Sequence, residues 1–166
     1  MLNRELTNLV ITEEGIRNIN YLLTKLVNES SSKCAILVEK SGQMIAGQGD
    51  INNIDTMALA ALSAGAFAST RAIARLIGEK EFKIMFQQGQ RDSIFISLLG
   101  TEDILIVVFD SRTTAGLVKL KTEQAVSGVT GEMQTMKSSR APNGGGIPLG
   151  EAKTFIDDEL DSLFSE

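Results

Sequence analysis

Residues 53–78 read NIDTMALAALSAGAFASTRAIARLIG. The run holds no proline, and alanine and leucine, both strong helix formers, dominate it. Asn53 or Asp55 can cap its start, and Gly78 can stop its end. At helical spacing one row reads Leu59, Leu62, Ala66, Ser69, Ile73, Leu76. The row beside it is nearly all small: Ala58, Ala61, Gly65, Ala68, Ala72. An ordinary surface helix has one apolar stripe and a polar back. This one is apolar or small almost all round, until Thr70, Arg71 and Arg75. It therefore needs cover on two sides. One cover is the chain's own sheet. The other is either the interior of a large monomer or a second chain. A chain of 166 residues leaves little room for the first. The small row lets two backbones approach closely, so Ala58, Ala61, Gly65, Ala68 and Ala72 are expected at an interface between two copies.

Before this helix, Thr12 reads as an N-cap, with Glu13 and Glu14 in the first turn, where the helix dipole favours acids. Ile16, Ile19, Leu23 and Leu26 follow at helical spacing, widened by Leu22 and Val27, and Glu-Ser-Ser-Ser ends the run. Cys34 to Glu39 is strand-like, Lys40–Gln43 reads as a hairpin turn, and Met44 to Gln48 as the returning strand. Gly47 and Gly49 suggest a bulge or a close backbone approach. After the helix comes a three-stranded meander. Phe82, Ile84 and Phe86 alternate with Lys83, Met85 and Gln87, and Ile94, Ile96 and Leu98 alternate with Phe95, Ser97 and Leu99. Ile104 to Phe109 is a continuous apolar run, the pattern of a central strand buried on both faces. A last helix is expected from Thr113 or Thr114 to Lys137, its stripe formed by Leu117 or Val118, then Ala125, Val129, Met133 and Met136, with Lys119 and Lys121 in water. The order αββαβββα implies an α+β fold: helices on the two faces of one five-stranded antiparallel sheet.

The expected division is a lead-in over 1–12, a domain over 13–137, a linker over 138–150 and a tail over 151–166. The linker holds both prolines and a triple glycine, and no Gly-Lys-Ser/Thr follows to make a phosphate loop. The tail, EAKTFIDDELDSLFSE, has six acids against Lys153, so it carries the whole net charge of −5 and the preceding residues are formally neutral. Ile156, Leu160, Leu163 and Phe164 share one helical face. The tail reads as an amphipathic recognition helix for a groove on its own body or on a partner.

Composition bounds the chemistry. The absence of histidine excludes His-dependent triads and His-containing zinc sites, and a lone cysteine, Cys34, excludes an internal disulfide and a thiolate cluster. No carboxylate, Lys, Ser or Tyr cluster converges on a nucleophile, so no catalytic site, cofactor or metal is expected. The acidic balance argues against tracking nucleic-acid phosphates. The start lacks the apolar run of a signal peptide, and the central helix is too interrupted by Ser, Thr and Arg to read as a membrane span. The expected location is the cytoplasm, where a lone reduced thiol is ordinary.

Three features together resemble the roadblock, or dynein-light-chain, superfamily over residues 13–137. They are the hairpin Lys40-Ser41-Gly42 before Met44-Ile45-Ala46, the alanine-rich helix ending Ile77-Gly78, and the apolar strand running into Phe109-Asp110. The resemblance implies small cytoplasmic proteins that homodimerise with sheets joined edge to edge and central helices paired into a platform. Its bacterial MglB-like branch implies a regulator that stimulates GTP hydrolysis by a small Ras-like GTPase of the MglA type, in motility or cell polarity. On that platform Phe67, Thr70, Arg71 and Arg75 are the expected GTPase contacts. The arginines either reach the γ-phosphate or solvate the helix end. Ile156, Leu160, Leu163 and Phe164 give the tail contact. The rival readings are a dimeric scaffold subunit without effect on hydrolysis and a ligand-sensing domain; an enzyme in its own right fits least.

Overall fold

The structure is a computed structural model and describes residues 10–138. The first nine residues, and the expected linker and tail beyond Ser138, lie outside the described residues. The elements run α1 (Glu13–Ser30), β1 (Cys34–Val38), β2 (Met44–Gly49), α2 (Thr56–Leu76), β3 (Ile84–Gln88), β4 (Ser93–Leu99), β5 (Asp103–Phe109) and α3 (Ala115–Ser138). The strands form one antiparallel sheet in the order β2-β1-β5-β4-β3, with β5 in the middle and every residue of it buried.

Strand alternation sorts the sheet into two cores. Ala35, Leu37, Phe95, Leu99, Leu105, Val107 and Phe109 pack against α1 and α3, through Ile19, Leu23 and Leu26 of the first and Val118, Val129, Met133 and Met136 of the second. Cys34, Ile36, Val38, Ile96, Ile104, Ile106 and Val108 point to the other face and meet Ala60 and Phe67 of α2. A strand buried on both faces cannot alternate polar with apolar, which is why β5 reads ILIVVF after Asp103.

Local chemistry fixes the element ends. Thr12 Oγ1 accepts the Gly15 N–H at 3.0 Å, Asp55 Oδ1 the Ala58 N–H at 3.0 Å, and Thr114 Oγ1 the Leu117 N–H at 3.2 Å. Of the two caps considered for α2, Asp55 is the one used, so the helix starts later than Asn53. Gly49 has φ +91°, and a Cβ there would collide with the Lys33 carbonyl oxygen, so only glycine closes this end of the β1–β2 pair. β3 starts at Ile84 rather than Phe82, because at Lys83 only the carbonyl, accepting from Leu98 N–H, still joins the ladder. In α3 the buried stripe includes Thr122, while Ala125 is only partly covered. Lys121, expected in water, lies 3.6 Å from Glu29 of α1.

Candidate functional site

The central helix is where the fold leaves most apolar surface open. Its sheet side is Ala60, Ser63, Phe67 and Ala74, spaced at three, four and seven residues. Neither row singled out by sequence faces the sheet. The small row Ala58, Ala61, Gly65, Ala68 and Ala72 is exposed throughout, and so are Leu62, Ala66, Ser69, Ile73 and Leu76 of the larger row. Leu62 is 74% exposed and Leu76 86%. Phe67 is corrected: at 3% exposure its ring belongs to the core, so it offers a partner no surface of consequence. It packs in one cluster with Ile96 and Ile106 on the sheet side.

The two flanks of α2 differ. A Cβ on Gly42, in the β1–β2 turn, would meet the Ala61 backbone at 3.2 Å, and Arg71 reaches the β4–β5 turn. These turns share one end of the sheet, since Val38 pairs with Ile104. The flank carrying Ala61, Ala64, Ala68 and Arg71 therefore faces that end. Helical periodicity puts Leu59, Leu62, Ala66 and Ile73 on the opposite flank. β3 is an edge strand whose Ile84 and Phe86, exposed at 40% and 45%, lie on the α1–α3 face, the Phe86 ring stacked on Phe109 at 6.1 Å, while Met85 lies on the α2 face. An apolar, unpaired edge strand is a surface open to association with another chain.

Between α2 and the two turns lies an open cleft of about 340 Å³. Ala64, Ala68 and Ile104 contribute apolar lining, with Lys40, Arg71 and Glu102 around them. Glu102 takes both cations: Arg71 Nη1 at 3.7 Å and Lys40 Nζ at 3.5 Å. Arg71 also donates to the Thr101 carbonyl. Thr70 is half-buried and donates to the Phe67 carbonyl at 2.6 Å, whereas Arg75 is exposed. Of the four contacts expected from sequence, Arg71 and Arg75 stand near each other, one turn apart; Thr70 serves its own helix and Phe67 the core. Sequence reasoning did not include Lys40 and Glu102. The turn reading Lys40-Ser41-Gly42 was the available signal, but the partner turn at Thr101-Glu102 is distant in sequence.

At this end of the sheet two carboxylates are buried, Asp103 on the α1–α3 face. Asp103 accepts the Lys40 N–H at 3.1 Å with one oxygen and holds Lys137 with the other. Glu39 accepts from the Ser41 N–H at 3.0 Å and the Ser41 hydroxyl at 2.5 Å. Both therefore act as fasteners of the turn. At the other end of the sheet Asp110 binds Arg112 at 3.0 Å, and that guanidinium holds its carboxyl below the usual range. Burial pushes the Cys34 thiol up to about 11. Among the described residues no three Cys, Asp or Glu side chains converge as a metal site requires.

Known proteins match this arrangement. Myxococcus xanthus MglB is 38% identical, with a TM-score of 0.71 over 77% of this chain and 96% of that one. MglB from Thermus thermophilus, a gliding protein, is 26% identical, with a TM-score of 0.73 over 76% and 96%. A further MglB, described as having a tetrameric arrangement, is 25% identical, with a TM-score of 0.74 over 77% and 96%. No curated protein matches the sequence. The Roadblock/LC7 domain family matches residues 19–109, more than half of the chain, and the chain belongs to that family.

Proposed function

We propose that this chain is a non-catalytic, cytoplasmic regulator of a small Ras-like GTPase of the MglA type, working as a homodimer. The observation that carries the reading is the uncovered apolar surface of α2 in a chain 38% identical to Myxococcus xanthus MglB. Among the described residues nothing buries Leu62, Ile73 and Leu76 on the helix or fully covers Ile84 and Phe86 on the edge strand.

The two flanks of α2 divide the work. Leu62, Ala66 and Ile73, with the β3 edge, meet a second copy, so that two sheets continue into one. The small row was read from sequence as the contact between copies. Its members Ala61 and Ala68 lie on the flank turned to the turns, so we assign the exposed crest of Ala58, Gly65 and Ala72 to the platform that receives the GTPase. Arg75 sits beside that platform.

Hydrolysis could be accelerated by an arginine beside the γ-phosphate, worth about 10³ to 10⁵ in rate. Arg71 is already engaged with Thr101 and Glu102 and would have to leave both. The geometry favours the other route: the regulator binds one conformation of the GTPase better than the rest and raises its population. The test is GTP hydrolysis by Ras-like GTPases of the same genome with this chain at saturating concentration. Stimulation of one of them is the expected result. Binding without stimulation would move the chain to a scaffold or adaptor role in a motility or polarity complex. Failure to bind any of them contradicts the proposal.

A further inference from the structure

We propose that the acidic C-terminal segment of this chain, residues 151–166, docks in the cleft between α2 and the β1–β2 and β4–β5 turns. Charge is the first argument. Lys40 and Arg71 border the cleft, Arg75 follows Arg71 by one helical turn, and Glu102 is the single carboxylate of the lining, shared by Lys40 and Arg71. The segment offers six acids against one lysine, while the rest of the chain is formally neutral. Long-range attraction within the molecule therefore runs between this segment and the cationic places on the domain, screened beyond about 10 Å at 0.1 M salt.

Where the chain leaves the described domain is the second argument. Lys137, next to the last described residue, is held by Asp103, and the other oxygen of Asp103 takes the Lys40 N–H. The exit is thus at the same sheet end as the cleft but on the α1–α3 face, so the segment must pass round that end to reach it. A flexible tether of the length between Ser138 and Glu151 would span roughly 20 Å. Such a tether gives an effective concentration of order mM, enough for weak contacts to hold.

Shape is the third. Ala64, Ala68 and the neighbouring Ala61 keep this flank of α2 low, so an apolar helical face can approach the backbone closely. At helical spacing Ile156, Leu160, Leu163 and Phe164 would share such a face. The first nine residues also start from this end, because the Val10 N–H donates to the Met136 carbonyl. Their charges, Arg4 and Glu5, cancel, and they have no electrostatic preference for the cleft. Docking does not depend on the GTPase reading. Its consequence does: a docked segment shields Arg71 and Arg75, so a GTPase on the platform and the segment in the cleft would compete.

The experiment uses the full chain alone, so failure of the GTPase reading cannot affect it. Ser165→Cys carries a nitroxide label; the buried Cys34, its thiol raised to about 11, stays unlabelled. Backbone amide signals report which residues the label approaches. The expected result is broadening at Ser41, Ala68, Arg71 and Glu102, absent at Tyr21 and Leu120 on the α1–α3 face. It should weaken with added salt, and be lost in L160D/L163D and in K40E/R71E. The tail double variant keeps the test valid if the domain variant fails to fold. No broadening on the domain, or broadening centred on the β3 edge or on α1 and α3, overturns the proposal. So does broadening seen only when label and isotope sit on different copies, or a label at Asn3→Cys that reaches the cleft when one at position 165 does not.

Discussion

Arg71 of α2 donates to the carbonyl of Thr101 and lies 3.7 Å from the Glu102 carboxylate, which fastens the central helix to the β4–β5 turn. Removing it should cost the fold about 1 kcal/mol or less, as expected for a partly exposed ion pair with one added hydrogen bond. Arg71→Ala should weaken GTPase binding modestly and leave hydrolysis at saturating regulator nearly unchanged. A loss of about a thousandfold at saturation would mean that the arginine enters the GTPase site after all.

The flank opposite Arg71 gives the second prediction. Leu62 and Ile73 are exposed in the single chain, so Leu62→Asp and Ile73→Asp leave its core intact. Sedimentation should find the wild type as a dimer and both variants as folded monomers, with unchanged thermal unfolding at low protein concentration. A monomeric wild type, or variants that dimerise as well as it does, would contradict the assignment of this flank.

Gly49 tests the sheet. Alanine there meets the left-handed backbone and the Lys33 carbonyl oxygen together. Strain and displacement should destabilise Gly49→Ala by about 3 kcal/mol or more, read as a lower denaturation midpoint.

Thr122 is fully buried in α3, and its hydroxyl has no hydrogen-bond partner among the described residues. Thr122→Val keeps the shape and removes the desolvated hydroxyl. It should stabilise the chain by about 1 kcal/mol. A destabilised variant would show that the hydroxyl is satisfied in solution.

Cys34 links stability to alkaline pH. Its thiol is raised from 9.0 to about 11 by burial, so the folded chain keeps a proton that the unfolded chain releases. The folded state then binds more protons between these values, and stability falls with rising pH. The contribution is whole below pH 9 and lost as pH rises through about 11. Cys34→Ala should flatten this part of the stability profile. A profile unchanged by the substitution would assign the alkaline loss to other groups.

Much of the fold was legible because local and tertiary demands agree in it. The apolar run at Ile104–Phe109 could only be the middle of a sheet, and it is. Thr12 and Asp55 cap helices as their side chains suggest. The side of α2 that meets the sheet was not legible. A helix that is small or apolar all round gives periodicity no direction to prefer, and the deciding contact, Phe67 against the sheet, is set by the space available there. The cleft was invisible for a different reason. It is made where Lys40 and Glu102 meet, and no local pattern pairs two turns that far apart in sequence.

The most direct test of the central claim is the affinity of the GTP-loaded cognate GTPase for the wild-type chain and for Ala72→Glu, with sedimentation run beside it. Ala72 is exposed on the crest of α2, so the substitution should leave the dimer intact. The account predicts tight binding by the wild type and at least a tenfold loss in the variant, about 1.4 kcal/mol. Equal affinity for an intact dimer of both proteins would place the GTPase elsewhere and contradict the account.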